Sequence, residues 1–386
     1  MRVLVASDKF KGTLTSAEVA AAVADGVRRS RPSAVVESVL IADGGDGTLA
    51  AAVAAGFELV PVTASGPTGE PVSSGFARRG EAASPGLAGR GEVSPGVARR
   101  GATAVVELAD VSGLIRLPGG VLAPLTASSR GTGEVIAAAV EAGCTRVILG
   151  IGGSASTDGG AGLLRALGAR LLDASGAEVP EGGAALADVV SVELEALHQR
   201  TNGIEVVVAC DVDNPLTGPS GAAATYGPQK GAGPEQIDVL DRALEHWAGL
   251  VAPELRDTPG AGAAGGVGFA ALAVLGAELV PGIELVLDLV GFRERLHGVD
   301  LVVTGEGALD EQTLHGKAVA GVASAAKAAG VPVVAVCGTN RLDGARLRAA
   351  GISAVYALTD LQPDVSRCIA DPVPLLRGLG ERIGLR

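Results

Sequence analysis

The chain has 386 residues, enough for two domains and a sizeable core. Hydrophobic residues make up 47% and aromatics only 2%, so the core is read as Ala, Val and Leu, the filling of parallel sheets packed closely against small-residue helices. A formal net charge of −12 argues against a nucleic-acid or anionic-membrane surface.

Residues 2–6, RVLVA, read as a short buried strand, with no basic-then-apolar leader before it, so no signal peptide is expected. The loop SDKFKGTLT follows, and Thr15 with Glu18 fits a capping box, which starts a helix near Ser16. Asp8, Lys9 and Lys11 therefore precede a helix N-terminus, where anions are favoured. Residues 35–42 read as a second strand. Its loop, DGGDGT, carries Asp43 and Asp46 into an Ala/Val helix at 48–55; Asp46 suits a cap or a cation contact. Residues 60–72, with Gly66, Pro67, Gly69 and Pro71, read as a turn-rich exit. Residues 73–101 repeat ARRGE-like and SPG units and read as a flexible low-complexity surface insertion.

A strand resumes at 103–108. SSRGTGE then leads into a helix, with Thr132 expected as its N-cap. The strand 146–151 runs into GGSASTDGGAG, whose Gly152, Gly153 and Ser154 suit a phosphate cradle of backbone N–H groups, with Asp158 close behind. Gly150-x-Gly152-x-x-Ala155 with Asp173 also matches a dinucleotide fingerprint, but Asp158-Gly159-Gly160 would delay the helix that this fingerprint needs. The strand at 206–209 opens onto Asp211, Asp213 and Asn214-Pro215, and its loop closes on Gln229-Lys230-Gly231. A helix at 235–256 carries Trp247, read as packing. Thr258–Ala277 holds six glycines and Pro259, so it reads as a turn and a buried helix, not a membrane span. A strand at 300–304 leads to Glu306, Asp310, His315 and Lys317, and strands at 331–337 and 353–358 follow. The position five before Gly316 is Glu311, and Ala318 follows Lys317, so there is no P-loop. Cys144, Cys210, Cys337 and Cys368 form no CxxC pair and are read as reduced thiols of a cytoplasmic protein.

Six loops share one grammar, an apolar strand, then Gly with Asp, Glu, Lys or Ser, then a helix. Open parallel sheets bind ligands at the carboxyl ends of their strands. Glycines and lysines provide for phosphates, and carboxylates for Mg²⁺, a hard ion that prefers oxygen. No Cys/His cluster for zinc and no G-x-S-x-G elbow is present.

DKFKGTLTS, ADGGDGT, GIGGSASTDGGAG, ACDVDNPLTGPSGA, YGPQKGA and VVTGEGALDEQTLHGK, in this order and spacing, resemble the bacterial glycerate kinase family of the glyoxylate and glucarate pathways. The resemblance covers nearly the whole chain except 73–101. It implies ATP- and Mg²⁺-dependent phosphorylation of D-glycerate, to 2-phosphoglycerate or alternatively 3-phosphoglycerate. It also implies a Rossmann-like (flavodoxin-like) parallel-sheet domain built from discontinuous segments, 1–62, 128–165 and 297–386, and a second mixed α/β domain, 63–127 and 166–296. A monomer or homodimer acting on small molecules is expected. The chain departs from the family pattern at Ser156-Thr157, where Thr-Asn is expected, and at Arg130, where tyrosine is expected.

On this resemblance Asp211 is the expected base for the glycerate hydroxyl, with Asp43 or Asp213 as alternatives. Asp43, Asp46 and Asp213 are the expected metal contacts. Lys9, Lys11 and Lys230 neutralise the substrate carboxylate or phosphates. Asp8, Thr132, Gly152, Gly153, Ser154, Asp158 and Lys317 belong to the substrate and phosphate set, and Glu306 and Asp310 to the nucleotide or its metal. Two rivals from other classes are a nicotinamide-dependent oxidoreductase, from the 150–155 match, and a non-catalytic ligand sensor.

Overall fold

The structure is a computed structural model and describes residues 1–80, 101–314 and 318–385. Its strands in chain order are β1 (Arg2–Val5), β2 (Val35–Ser38), β3 (Glu58–Ser65), β4 (Pro71–Arg79), β5 (Ala102–Glu107), β6 (Cys144–Gly150), β7 (Arg170–Leu172), β8 (Ser191–Glu193), β9 (Glu205–Ala209), β10 (Glu278–Val280), β11 (Leu301–Leu309), β12 (Val333–Asn340) and β13 (Ile352–Ala357). Contacts divide the chain into two units, Met1–Ala55 with Pro281–Arg386, and Gly56–Val280.

The first unit is built on a five-stranded, wholly parallel sheet in the order β13-β12-β11-β1-β2. Renumbered within the unit, this is the 2-1-3-4-5 order of the flavodoxin-like fold, and its connections reverse direction between β1 and β11. Alternation along the strands feeds two cores. Val3, Val5, Val303 and Val336 pack with the helices Ser16–Ser30 and Pro372–Gly384. Leu4, Ala6, Val302 and Ala335 pack with the helices Gly282–Leu289 and Ala318–Ala328. The first helix begins at Ser16 with the expected capping box, in which Thr15 and Glu18 bond each other's backbone N–H.

The second unit carries a six-stranded mixed sheet, β10-β9-β6-β5-β4-β3, in which β10, β9, β6 and β5 are parallel and β4 and β3 are antiparallel; β7 and β8 form a separate pair. Gly150 at the end of β6 is in register with Glu107 of β5 and Ala209 of β9, so the loops that follow these strands leave the same end of the sheet.

Three expectations are corrected. Residues 56–62 and 128–165 belong to the second unit, because β3 pairs with β4 and β6 pairs with β5 and β9. Residues 281–296 belong to the first, because Ile283, Val286 and Leu287 fill its core. The segment 60–72 is not only a turn. β3 and β4 form a long hairpin around Gly66-Pro67-Thr68-Gly69, and β4 takes in residues 73–79 of the segment read as a flexible insertion. The remainder of that segment, 81–100, lies outside the described residues. Among the described residues no helix is long and apolar enough to cross a membrane, and all four cysteines are free thiols.

Candidate active site

In the first unit the candidate residues gather at the carboxyl ends of β1 and β11, where the sheet's connections reverse. Past β1, Ala6 N–H donates to Val303 O at 2.7 Å and Asp8 N–H donates to Gly305 O at 2.9 Å, so the loop continues alongside β11. The buried Ser7 hydroxyl also donates to Gly305 O, at 3.0 Å. Gly305 is itself required by the next strand, since a Cβ there would lie 2.2 Å from Val336 O. Asp8 is thereby held at 8% exposure, with Oδ1 accepting the Lys9 N–H at 2.7 Å. Burial pushes its carboxyl up to about 7; Lys9 opposes this, while Asp43 and Glu306 raise it further. Lys9 Nζ donates to Asp46 O at 2.5 Å and lies 3.8 Å from the Asp46 carboxylate.

Asp46 does not cap the following helix. Gly47 occupies the N-cap with a left-handed φ of 101° and no side-chain cap, and the helix spans Thr48–Ala54. Lys11 is exposed. Asp310 donates its own N–H to Thr313 Oγ1 at 3.0 Å, which turns the chain after β11. Lys317 lies outside the described residues.

In the second unit the loop after β6 has the properties of an anion cradle. Among the described residues the amide N–H groups of Gly152, Gly153 and Ser154 donate to no protein acceptor. Gly153 is exposed, with φ 76°, and Gly152 is half-buried. The flanks of the loop are fixed: Leu114 N–H donates to Gly153 O at 3.0 Å and Ala155 N–H donates to Ser112 O at 3.0 Å. Behind it lies Lys230, 1% exposed. Its Nζ donates to Ser154 Oγ at 2.8 Å and to the Ser156 carbonyl. Burial brings the ammonium down to about 7, against the attraction of Asp158.

Asp158 is 1% exposed and is taken up by the fold. Oδ2 accepts from Ser129 N–H and Ser129 Oγ, both at 2.8 Å, and from Gly162 N–H at 3.2 Å, while Oδ1 accepts from Gly160 N–H at 3.3 Å. Burial raises its carboxyl and these donors oppose the rise. The expected Thr132 cap is also corrected. The helix begins at Arg130, so Thr132 falls inside its first turn, fully buried, and its hydroxyl bonds Ser112 Oγ at 2.9 Å. Arg130 is paired with Glu134 at 3.1 Å and Glu181 at 2.9 Å.

Asp211 and Asp213 stand exposed just past β9, and their charges, after burial, raise the neighbouring Cys210 thiol. Asn214 organises the rest of that loop, accepting from Tyr226 Oη at 2.6 Å and donating to Ser220 O at 2.7 Å. Trp247 is buried as expected, and its Nε1 donates to Gly159 O at 3.1 Å.

The dinucleotide reading does not survive this geometry. The helix after β6 starts only at Ala161, and the Asp173 carboxylate is engaged in its own turn by Ser175 and Ala177. Ser7, Ser112, Ser129 and Glu181 carry no functional reading in the sequence. Of these, only the serine pair before GTGE carried a local signal, because serine marks helix starts.

Asp43, Asp46 and Glu306 are hard oxygen donors of the kind Mg²⁺ prefers. Among the described residues no group of three or more His, Cys, Asp or Glu forms a ready-made cage.

A profile of the glycerate kinase family matches residues 3–385. The chain is 43% identical to the glycerate kinase of Bacillus subtilis (strain 168), over 93% of this chain and 90% of that one. It is 42% identical to the glycerate 2-kinase of Escherichia coli (strain K12), with the same coverage of both chains. A crystal structure described as a candidate glycerate kinase 2 from Salmonella typhimurium LT2 superposes with a TM-score of 0.79 at 38% identity, covering 100% of this chain and 97% of that one.

Proposed function

Because this chain belongs to the glycerate kinase family, we propose that it transfers the γ-phosphoryl group of ATP to the 2-hydroxyl of D-glycerate, releasing 2-phosphoglycerate and ADP. The observation that carries the chemistry is the row of undonated N–H groups at Gly152, Gly153 and Ser154, an anion cradle at the carboxyl end of a parallel strand. The choice of the 2-hydroxyl follows the name of the E. coli relative.

In the transfer the hydroxyl oxygen bonds to the γ-phosphorus, the bond to the β,γ-bridging oxygen breaks, and the hydroxyl proton passes to a carboxylate. Asp211, at the mouth of β9, is assigned as that acceptor. A second reading gives the proton to Asp8, whose carboxyl burial brings to about 7, where a base works best at neutral pH. Lys9 and Lys11 neutralise the glycerate carboxylate, and Gly152, Gly153 and Ser154 bind phosphate oxygens. Asp43 and Asp46 are the assigned Mg²⁺ contacts, with Asp213 as the alternative, and Glu306 and Asp310 face the nucleotide or its metal. Bound with ATP, Mg²⁺ supplies charge neutralisation of the phosphates. Free thiols suit a cytoplasmic setting.

The test is a coupled ADP-release assay with ATP, Mg²⁺ and D-glycerate, the product resolved by phosphorus NMR. Turnover requiring all three and giving 2-phosphoglycerate is the expected result. The 3-phosphate would move the acceptor hydroxyl, and a folded protein releasing no ADP would overturn D-glycerate as substrate.

A further inference from the structure

The anion cradle is held from behind by one side chain. Lys230 sits in a short turn, Pro228–Lys230, and its ammonium reaches the loop after β6 at two points, Ser154 Oγ at 2.8 Å and the Ser156 carbonyl. The hydroxyls of Ser156 and Thr157 are buried and have no hydrogen-bond partner among the described residues, so they fasten nothing. The lid over the lysine is backbone: a Cβ added to Gly265 would fall 2.9 Å from Nζ and 2.1 Å from Ser156 O. At 1% exposure, Lys230 presents no surface to a ligand.

We propose that Lys230 is a positioning residue for phosphate binding: it fixes Ser154 and Ser156 so that the N–H groups of Gly152, Gly153 and Ser154 converge on a triphosphate oxygen, and it does not touch the nucleotide. Both of its contacts fall at the C-terminal end of the undonated amides, and a buried hydroxyl and carbonyl that lose their donor cost the full desolvation of those groups. The inference rests on the kinase reading.

The test is a double-mutant cycle of Lys230→Met and Ser154→Ala, read by equilibrium ATP binding and by steady-state kinetics with D-glycerate. Loss of the two bonds is expected to weaken ATP binding about 10- to 100-fold, raising the ATP KM while kcat stays within about threefold. Ser154→Ala is expected to weaken ATP binding less, and to add nothing in the Lys230→Met background, because the pair acts through one bond. Lys230→Arg should behave like the methionine variant, since the backbone at Gly265 leaves no room for a guanidinium. A collapse of kcat with unchanged ATP binding, or additive effects in the cycle, would overturn the proposal. Should Lys230→Met not fold, Ser154→Ala decides alone: a changed kcat at unchanged ATP affinity rejects the proposal, and weakened affinity at unchanged kcat supports it. Wild-type protein that neither binds ATP nor turns over glycerate would instead overturn the kinase reading, so the two failures are distinguishable.

Discussion

Ser129 donates twice to the same oxygen of Asp158, through its amide and through its hydroxyl, each at 2.8 Å. Its hydroxyl also accepts the Leu163 N–H at 3.0 Å, so a single side chain ties the starts of two helices, Arg130–Glu141 and Ala161–Leu167, to a buried carboxylate. Ser129→Ala removes one donor to a charged group and leaves Leu163 N–H unsatisfied. The expected cost is about 1.5–3 kcal/mol, read as a lower urea midpoint at unchanged slope. An unchanged midpoint would show that the amide alone holds Asp158.

Asp8 should make stability depend on pH. Its folded carboxyl is raised from 3.8 to about 7, so as pH rises between these values the unfolded chain releases a proton that the folded chain keeps. Stability is therefore lost from about pH 4 to about pH 7 and levels off above. Asp8→Asn should remove this slope, gaining on wild type at pH 8 relative to pH 5, even as it lowers turnover. Parallel melting curves for the two proteins across that range would contradict the shift.

Lys230 contributes in the opposite window. Its ammonium is lowered from 10.5 to about 7, so as pH falls from 10.5 the unfolded chain gains a proton that the folded chain refuses. Relative to wild type, Lys230→Met should fare better at pH 7 than at pH 9.5. Denaturant titrations at the two pH values read the difference, and equal differences would mean the lysine is charged throughout.

Gly265→Ala meets two obstacles, φ at 71° and a Cβ position 2.1 Å from Ser156 O. Gly176→Ala meets only the first, with φ at 82° and open space around it. The second substitution should cost about 1 kcal/mol. The first should cost about 3 kcal/mol or more, from strain added to the clash. Thermal unfolding of the two variants side by side checks the order.

Asp211→Asn separates the two candidate proton acceptors. Asp211 is exposed, so the fold should be untouched, while kcat falls about 10²- to 10⁴-fold. A kcat near that of wild type would pass the role to Asp8.

What could be read in advance was local. The capping box at Thr15 and Glu18 needs only residues three apart, and the start of the first helix was placed correctly. The grammar of strand, glycine-rich loop and helix also holds for the loops after β1 and β6, because each lies within one short window; it fails after residue 304, where β11 runs on to Leu309 and takes Glu306 into the strand instead of the loop. Misreadings came where one window admitted two outcomes. Gly66 to Pro71 signalled a turn and hid the alternating runs of β3 and β4 on either side. Thr132 resembles a cap only if the helix starts three positions too late; the N-cap is Ser129, and the real first turn buries Thr132. The burial of Asp8 depends on β11 and that of Lys230 on Ser154 and Gly265, partners too distant in sequence for any local pattern to name.

The pairing of Val3 with Leu301 sets an order of assembly. All strands of the second unit lie between residues 56 and 280, so it can close as soon as that stretch has left the ribosome. β1 and β2 meanwhile wait for β11 to arrive at the far end of synthesis. The first unit is then the slower and later to form, because its central pairing closes the longest loop of any strand pairing among the described residues. A nascent chain stopped before residue 301 should carry a protease-resistant middle and a sensitive N-terminal arm.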